Sequence, residues 1–369
     1  MRTSPLRERL AAAGAQFRDR LGVEVVSHFS ERRAEYAAVR DAVGLTDFSS
    51  VRSFRLPEDK GIDFLDGLLA GNVPKIRFGR VLHTLLADDD GWVIGDCYVA
   101  NNDQELLLLC ESIVPAAELD AILEAAGGTE AGLEDLSPSH VLLSLDGFRS
   151  WEVAKHLFGA DLLGLPYLSV ENYSFEGKPV RLFRAGKTSE FGYLLLAPQA
   201  VAPTLFDALQ AAVDQRGGRL CGVDVHDDLR LEGRFFNVHA EGRRVRDPLV
   251  LGLQWMIDFD KGPFRGSEAI QRRRAGGLKQ KIIGVATEPG TDALQSGTAI
   301  LHEGRPVAEV VAAGFSGVLN HALGLAVFPI ELAFSGLTFR LAAPDGPPVR
   351  SLSMPPIMPK SLTVKLDEM

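Results

Sequence analysis

The sequence predicts an α+β region followed by an all-β module. Three observations predict it. Helical and strand periodicities interleave along residues 1–278, the links between successive strands there are of hairpin length, and from Lys281 onward nearly every apolar run reads as a strand between Gly and Pro turns. Hairpin links favour antiparallel pairing over a doubly wound parallel sheet, whose crossovers need about a dozen residues or more.

Each element follows from local chemistry. In MRTSPLRERLAAAGAQF, Ser4 is placed to cap a helix with Pro5 at its first position. SERRAEYAAVRDAVG offers Ser30 as N-cap, Tyr36, Val39 and Val43 at helical spacing, and Gly44 as terminator. VLHTLLADDDGWVIGDCYVANNDQELLLLC reads as three strands joined by the turns DDDG and NNDQ, hence an antiparallel meander. VPAAELDAILEAAGG is a helix opened by Pro115 and closed at Gly127, and DGFRSWEVAKHLFG is another, capped by Asp146 and ended at Gly159. KPVRLFRAG and FGYLLLA are strands that precede the helix TLFDALQAAVDQRGG. Beyond them KIIGVAT, TAILHEGRPVAEVVAAG, HALGLAVF and LTFRLAAPDGPPVRSL are strands of a small barrel, so the division predicted is 1–278 and 279–369.

Composition excludes several classes of function. A chain of 369 residues with 46% hydrophobic and 24% charged residues buries a substantial core, and a formal charge of −10 argues against nucleic acid as partner, since phosphates are held by clustered Lys and Arg. The dense basic run QRRRAGG at 271–277 fits the C-terminus of a helix. No apolar run approaches the ~20 residues of a membrane helix, and the N-terminal stretch lacks the apolar centre of a leader, so a cytoplasmic protein without membrane association is expected. Cys97, Cys110 and Cys221 are odd in number and isolated among apolar residues, as buried thiols are. Nucleotide-binding glycine motifs, a nucleophile elbow and zinc-protease spacing are all missing, and the eight histidines do not cluster at ligand spacing, so no metal site is expected.

One strand carries an unexpected charge. In GWVIGDCYV, residues 91–99, Asp96 shares a face with Trp92, Ile94, Tyr98 and Ala100 by the two-residue side-chain period. Aspartate is depleted in strands. A carboxylate there either reaches solvent at a sheet edge or sits in a pocket where a negative charge is needed.

Asp96 and four further segments, in order, resemble the glycine cleavage T-protein family of folate-dependent aminomethyltransferases. AVRDAVGLTDFSS resembles the family's A-V-R-x-x-x-G-x-F-D-x-S-H, and DDDGWVIGDCYV its N-x-x-G-G-x-x-D-D-x-x-x, with Asp96 on the second Asp. RAGKTSEFGYLLL resembles R-T-G-Y-T-G-E-x-G-F-E-L, GVDVHDDLRLEGRFF resembles G-L-G-A-R-D-x-L-R-L-E-A-G, and LVLGLQWMIDFDKGPFRGSEAI resembles the run ending D-K-x-F-x-G-x-E-A-L. The resemblance implies a duplicated, ferredoxin-like folate-binding region around a central channel, followed by a small β-barrel. It implies tetrahydrofolate as cofactor, a small-molecule substrate or a lipoyl carrier protein as partner, and Asp96 as the catalytic carboxylate that stabilises positive charge while a one-carbon unit moves.

The same alignment exposes departures. The family's pterin-binding Glu is Leu194 here, its loop Tyr is Lys187, its Arg in G-A-R-D is His226, the Asn after the third meander strand falls on Cys110, and the strand Tyr four beyond the Asp is Ala100. The cysteine of the related folate-binding proteins of iron–sulfur maintenance is Pro263. Candidate cofactor-binding residues are therefore Tyr98, Cys110, Lys187, Glu190, Leu194, His226 and Arg230, with Glu190 as the substitute pterin carboxylate. From the residues alone other readings stand: Lys187 as an exposed turn lysine, His226 as a helix residue ahead of solvated Asp227 and Asp228, and Arg230 paired with Glu232. The activity implied is one-carbon transfer, and the alternative is a binding protein of the same fold with a changed pocket.

Overall fold

The computed structural model describes residues 2–290 and 294–366. The chain opens with α1 (Arg7–Ala12), the paired strands β1 (Gln16–Arg20) and β2 (Val23–His28), α2 (Arg32–Asp41) and β3 (Gly44–Asp47). The first helix begins at Arg7 rather than Pro5, with Ser4 Oγ accepting the Leu6 N–H at 3.1 Å to hold the turn ahead of it. Ser30 does not cap α2. The buried Glu35 carboxylate reaches back instead and accepts the N–H groups of Phe29 and Ser30 at 2.7 and 2.8 Å.

Two copies of one strand arrangement follow. The first comprises β4 (Arg52–Pro57), α3 (Glu58–Leu68), β5 (Arg80–Ala87), β6 (Val93–Asn102), β7 (Glu105–Ser112), α4 (Ala116–Ala125) and β8 (Glu134–Asp135). The second comprises β9 (His140–Asp146), α5 (Ser150–Phe158), β10 (Ser169–Phe175), β11 (Lys178–Arg184), β12 (Gly192–Pro198), α6 (Ala202–Asp214) and β13 (Arg219–Leu220). Among the described residues the two form one eleven-stranded sheet, ordered β13-β3-β9-β12-β11-β10-β5-β6-β7-β4-β8. Read outward from the seam, β5-β6-β7-β4-β8 and β10-β11-β12-β9-β3-β13 follow the same order apart from the inserted β3. At the seam β5 meets β10 through Arg80 and Ser169.

The sheet curls so that its two inner faces share one apolar cluster, in which Tyr98, Leu107 and Leu109 of the first copy pack with Leu142, Phe183 and Leu194 of the second. The helices cover the outer faces. Leu65, Leu68, Leu119 and Leu123 from α3 and α4 bury against Leu86, Val99 and Leu108, while Val153, Leu205 and Leu209 from α5 and α6 bury against Leu143, Leu182 and Leu195. The meander β5-β6-β7 is antiparallel as predicted, and its second turn places Asp103 and Gln104 at φ 52° and 62°, the left-handed pair of a two-residue hairpin.

Next come α7 (Val223–Gly233), α8 (Glu241–Arg244) and α9 (Ser267–Ala275), the last carrying the basic run at its C-terminal end. The strands β14 (Gln280–Thr287), β15 (Ala299–His302), β16 (Arg305–Ser316), β17 (His321–Pro329), β18 (Thr338–Leu341) and β19 (Pro348–Leu352) close a barrel in the order β14-β17-β16-β15-β18-β19. Closure removes the exposed edges that an open sheet of short strands would leave. The barrel docks on α7: Ser316 Oγ donates to Glu232, and the Phe315 N–H donates to Asp228 Oδ1 at 3.2 Å. Among the described residues no helix is long and apolar enough to cross a membrane.

Candidate active site

Asp96 is not on an edge. Strand β6 lies between β5 and β7, and the register sets Leu85, Asp96 and Glu111 side by side, with His83, Tyr98 and Leu109 in the next row. A bulge between Leu86 and Ala87 breaks the simple alternation beyond Gly95. Ile94, expected on the face of Asp96, packs on the outer face with Cys97 and Val99. Trp92 precedes the strand and lies under the Arg273 guanidinium.

Two carboxylates opposite each other on neighbouring strands repel unless neutralised. Here Lys187 neutralises both: its Nζ lies 2.5 Å from Asp96 Oδ2, 3.0 Å from Glu111 Oε2, and 5.0 Å from the centre of the Tyr98 ring. Glu111 also takes a forked pair of hydrogen bonds from Arg230 at 2.7 and 2.9 Å, and His83 Nε2 is 2.6 Å from Asp96 Oδ1. The result is a continuous buried chain, His83–Asp96–Lys187–Glu111–Arg230.

Burial alone would push the Asp96 carboxyl upward, but the charge of Lys187 and the contact with His83 outweigh it and leave it below its ordinary range. Glu111 is held well below its usual value because Arg230 and Lys187 overcome the same burial. Burial lowers His83 by more than Asp96 raises it, so near neutral pH the ring is uncharged and donates Nε2–H to Asp96. His226 is depressed to about 3 by burial and then by the charge of Arg230; its Nε2 lies 2.9 Å from Thr46 Oγ1.

A cavity opens on this chain of charges. Of the residues singled out in the sequence, Asp96, Tyr98, Lys187, Leu194, His226 and Arg230 line it. Its apolar walls are Phe48, Val51, Leu109, Leu142 and Leu194. At the far wall Leu194 pairs with Ser144 across β12 and β9, and Gly192 pairs with Asp146. The Asp146 carboxylate is buried and lines the cavity, taking hydrogen bonds from the hydroxyls of Ser144 and, at 3.3 Å, Thr188. Burial raises its carboxyl to about 6. Among the described residues, two buried polar atoms of the lining have no hydrogen-bond partner, the Tyr98 hydroxyl and Arg230 Nε.

Two sequence expectations fall outside the cavity. Cys110 faces Cys97 across β6 and β7 on the outer face, because strand alternation sends it opposite to Glu111. Glu190 is consumed elsewhere: its carboxylate takes the Ser361 N–H at 2.9 Å and hydroxyl at 2.5 Å, the Lys360 N–H at 3.3 Å, and Arg40 at 3.2 Å. Arg230 pairs with Glu111 and not with Glu232, which binds Arg40 and Tyr36. Asp228 is buried and paired with Arg32 rather than solvated. His83, Glu111 and Asp146 were not singled out in the sequence. Counting residues back from the Asp103–Gln104 turn would have placed Glu111 beside Asp96. Asp146 was read as a helix cap, yet α5 starts only at Ser150, with Arg149 in the cap position.

A family model described as the GCVT N-terminal domain matches residues 6–261. An aminomethyltransferase of Mycobacterium leprae is 30% identical over 334 residues, 89% of each chain, and one of Thermus thermophilus is 29% identical over 328 residues, 88% of this chain and 91% of that one. In three dimensions the chain is similar to the glycine cleavage system aminomethyltransferase T from Bartonella henselae, with a TM-score of 0.83 and 20% identity over 97% of this chain and 98% of that one. A match of this extent, over the sheet copies and the cavity between them, places the chain in the GCVT family, that of the glycine cleavage T-protein.

Proposed function

We propose that this protein is an aminomethyl or related one-carbon transferase that uses tetrahydrofolate as acceptor, with Asp96 at the reacting centre. The observation that carries this reading is a buried, ionised Asp96 lining a cavity whose other walls are largely apolar. The donor is a small amine or a group presented on a lipoyl carrier protein. The lining suits a reduced pterin: Leu109, Leu142 and Leu194 offer contacts to a planar ring, while the Tyr98 hydroxyl and Arg230 Nε, each buried and within normal geometry of no partner among the described residues, offer hydrogen bonds.

When bound, tetrahydrofolate supplies the nucleophilic amine nitrogens that receive the one-carbon unit. Asp96 supplies the charge. In a low-dielectric site a fixed carboxylate stabilises a developing cation far better than it does in water. His83 holds Oδ1 by its Nε2–H, which leaves Oδ2 as the oxygen facing the reaction. Lys187 occupies Oδ2 at rest, and an arriving cationic group competes with it; Glu111, already 3.0 Å from Nζ, retains the ammonium once Asp96 is engaged. The alternative of a repurposed binding protein has less support, because the relatives spanning the chain are aminomethyltransferases and Asp96 keeps its charge.

The test is calorimetric titration of tetrahydrofolate together with single-turnover transfer. Asp96→Asn keeps the His83 contact, so affinity should stay within a few-fold while transfer falls by about 100-fold or more. A wild type that binds no tetrahydrofolate would overturn the proposal.

A further inference from the structure

Three carboxylates line the cavity: Asp96, Glu111 and Asp146. Asp96 and Glu111 are committed to Lys187, His83 and Arg230. Asp146 differs. Its hydrogen-bond partners are the hydroxyls of Ser144 and Thr188, and among the described residues no cation lies within ion-pair distance of it. A carboxylate has about four lone-pair sites, so two hydroxyl donors, one on each oxygen, leave one acceptor position free on each.

The backbone around Asp146 is bare. A Cβ at Gly186 would lie 2.8 Å from Asp146 Oδ1, and one at Gly192 would lie 2.9 Å from the same atom, so any side chain at either position would press on the carboxylate. Two glycines from the two ends of the 186–192 loop thus leave room for a buried carboxylate with which no cation among the described residues forms a direct ion pair. Holding such a group is costly in a folded chain. The cost is rational if a ligand brings the missing donors.

A reduced pterin carries such donors, as its pyrimidine ring presents an amino group and a ring N–H side by side, a pair that matches the two oxygens of one carboxylate. We infer that Asp146, positioned by Ser144 and Thr188, is the carboxylate that receives this donor edge, so that Asp146 anchors the pterin beside the apolar Leu194 while Asp96 serves the reacting end. The inference rests on the tetrahydrofolate reading above and specifies how that ligand is oriented.

The experiment pairs a variant with a ligand change. Tetrahydrofolate and its 2-desamino analogue are titrated by calorimetry into wild type and Asp146→Asn, an isosteric change in which the amide oxygen still accepts from one hydroxyl while the other turns to accept from the amide NH2; circular dichroism confirms that the variant is folded. Wild type should bind tetrahydrofolate at least 10-fold more tightly than the analogue, Asp146→Asn should bind tetrahydrofolate about 30-fold more weakly than wild type, and in the variant the preference for the 2-amino group should shrink to within about 3-fold. Wild-type affinity in the variant, or an undiminished preference for the 2-amino group, overturns the assignment and leaves the transferase reading intact. Absence of tetrahydrofolate binding by the wild type overturns that reading and the anchor with it. The analogue comparison in the wild type needs no mutation, so a misfolded variant does not rescue the claim: equal binding of the two ligands is sufficient to refute it.

Discussion

Lys187 places its ammonium 2.5 Å from the Asp96 carboxylate, and both side chains are buried. Replacing the ammonium in Lys187→Met leaves Asp96 and Glu111 adjacent with one cation fewer. Breaking a buried pair from one side costs about 3–5 kcal/mol. In the wild type the depressed Asp96 carboxyl contributes stability above its unfolded value near 3.8, which is lost as pH falls through its folded value. In the variant that contribution changes sign, because repulsion and burial raise the carboxyl. The stability deficit measured by denaturant unfolding should therefore widen from pH 5 to pH 8.

Asp146 gives the opposite pH signature from wild-type Asp96. Its carboxyl is raised from 3.8 to about 6, so the folded state holds a proton that the unfolded state has released, and its contribution to stability declines as pH rises from about 4 to about 6. Asp146→Asn should remove that decline and raise the melting temperature at pH 7.5, corresponding to roughly 1–3 kcal/mol. A melting profile across pH 4–8 for the two proteins checks both points.

Gly192→Ala should disturb the cavity from its wall. The added Cβ would sit 2.7 Å from Gly186 Cα and 2.9 Å from Asp146 Oδ1, so backbone or carboxylate must move. A loss of about 1–3 kcal/mol is expected from overpacking, with weaker tetrahydrofolate binding as the carboxylate shifts. Thermal unfolding and calorimetry on the one variant report the two effects separately.

Glu190→Ala separates structure from binding. It removes the acceptor for Ser361 and Lys360 and one partner of Arg40, so it should cost about 3–5 kcal/mol and expose the segment near Ser361 to proteolysis. Tetrahydrofolate affinity of the folded protein should remain within about 2-fold of wild type. A selective loss of affinity would return Glu190 to the binding site.

What the sequence disclosed follows a physical line. The meander was legible because its side chains alternate and its turns carry Asp, Asn and Gly, and the barrel because short apolar runs recur between Gly and Pro. Asp96 stood out because a charge interrupts an apolar strand. The pairings around it did not, because Lys187 reaches Asp96, and Arg230 the neighbouring Glu111, from a loop and a helix remote in the chain. Ile94 was misplaced by a bulge that no residue in the strand announces. Glu190 was misread because its decisive partner, the Ser361 backbone, comes from the far end of the chain. Asp146 followed by Gly147 resembles a helix start, and its true setting, between β3 and β12, depends on pairing that residue order alone does not reveal.

The repeated strand order has a consequence for how such a molecule changes over generations. Asp96 and Glu111 belong to one copy, Asp146 and Leu194 to the other, and the copies join edge to edge at the β5–β10 seam and side chain to side chain where Lys187 of the second meets the two carboxylates of the first. As long as Lys187 keeps its bridge between them, each copy can accumulate substitutions against its own portion of a ligand while the other holds its portion fixed. Recognition and reactivity are inherited on separate stretches of the chain, and a lineage can exchange one without first surrendering the other.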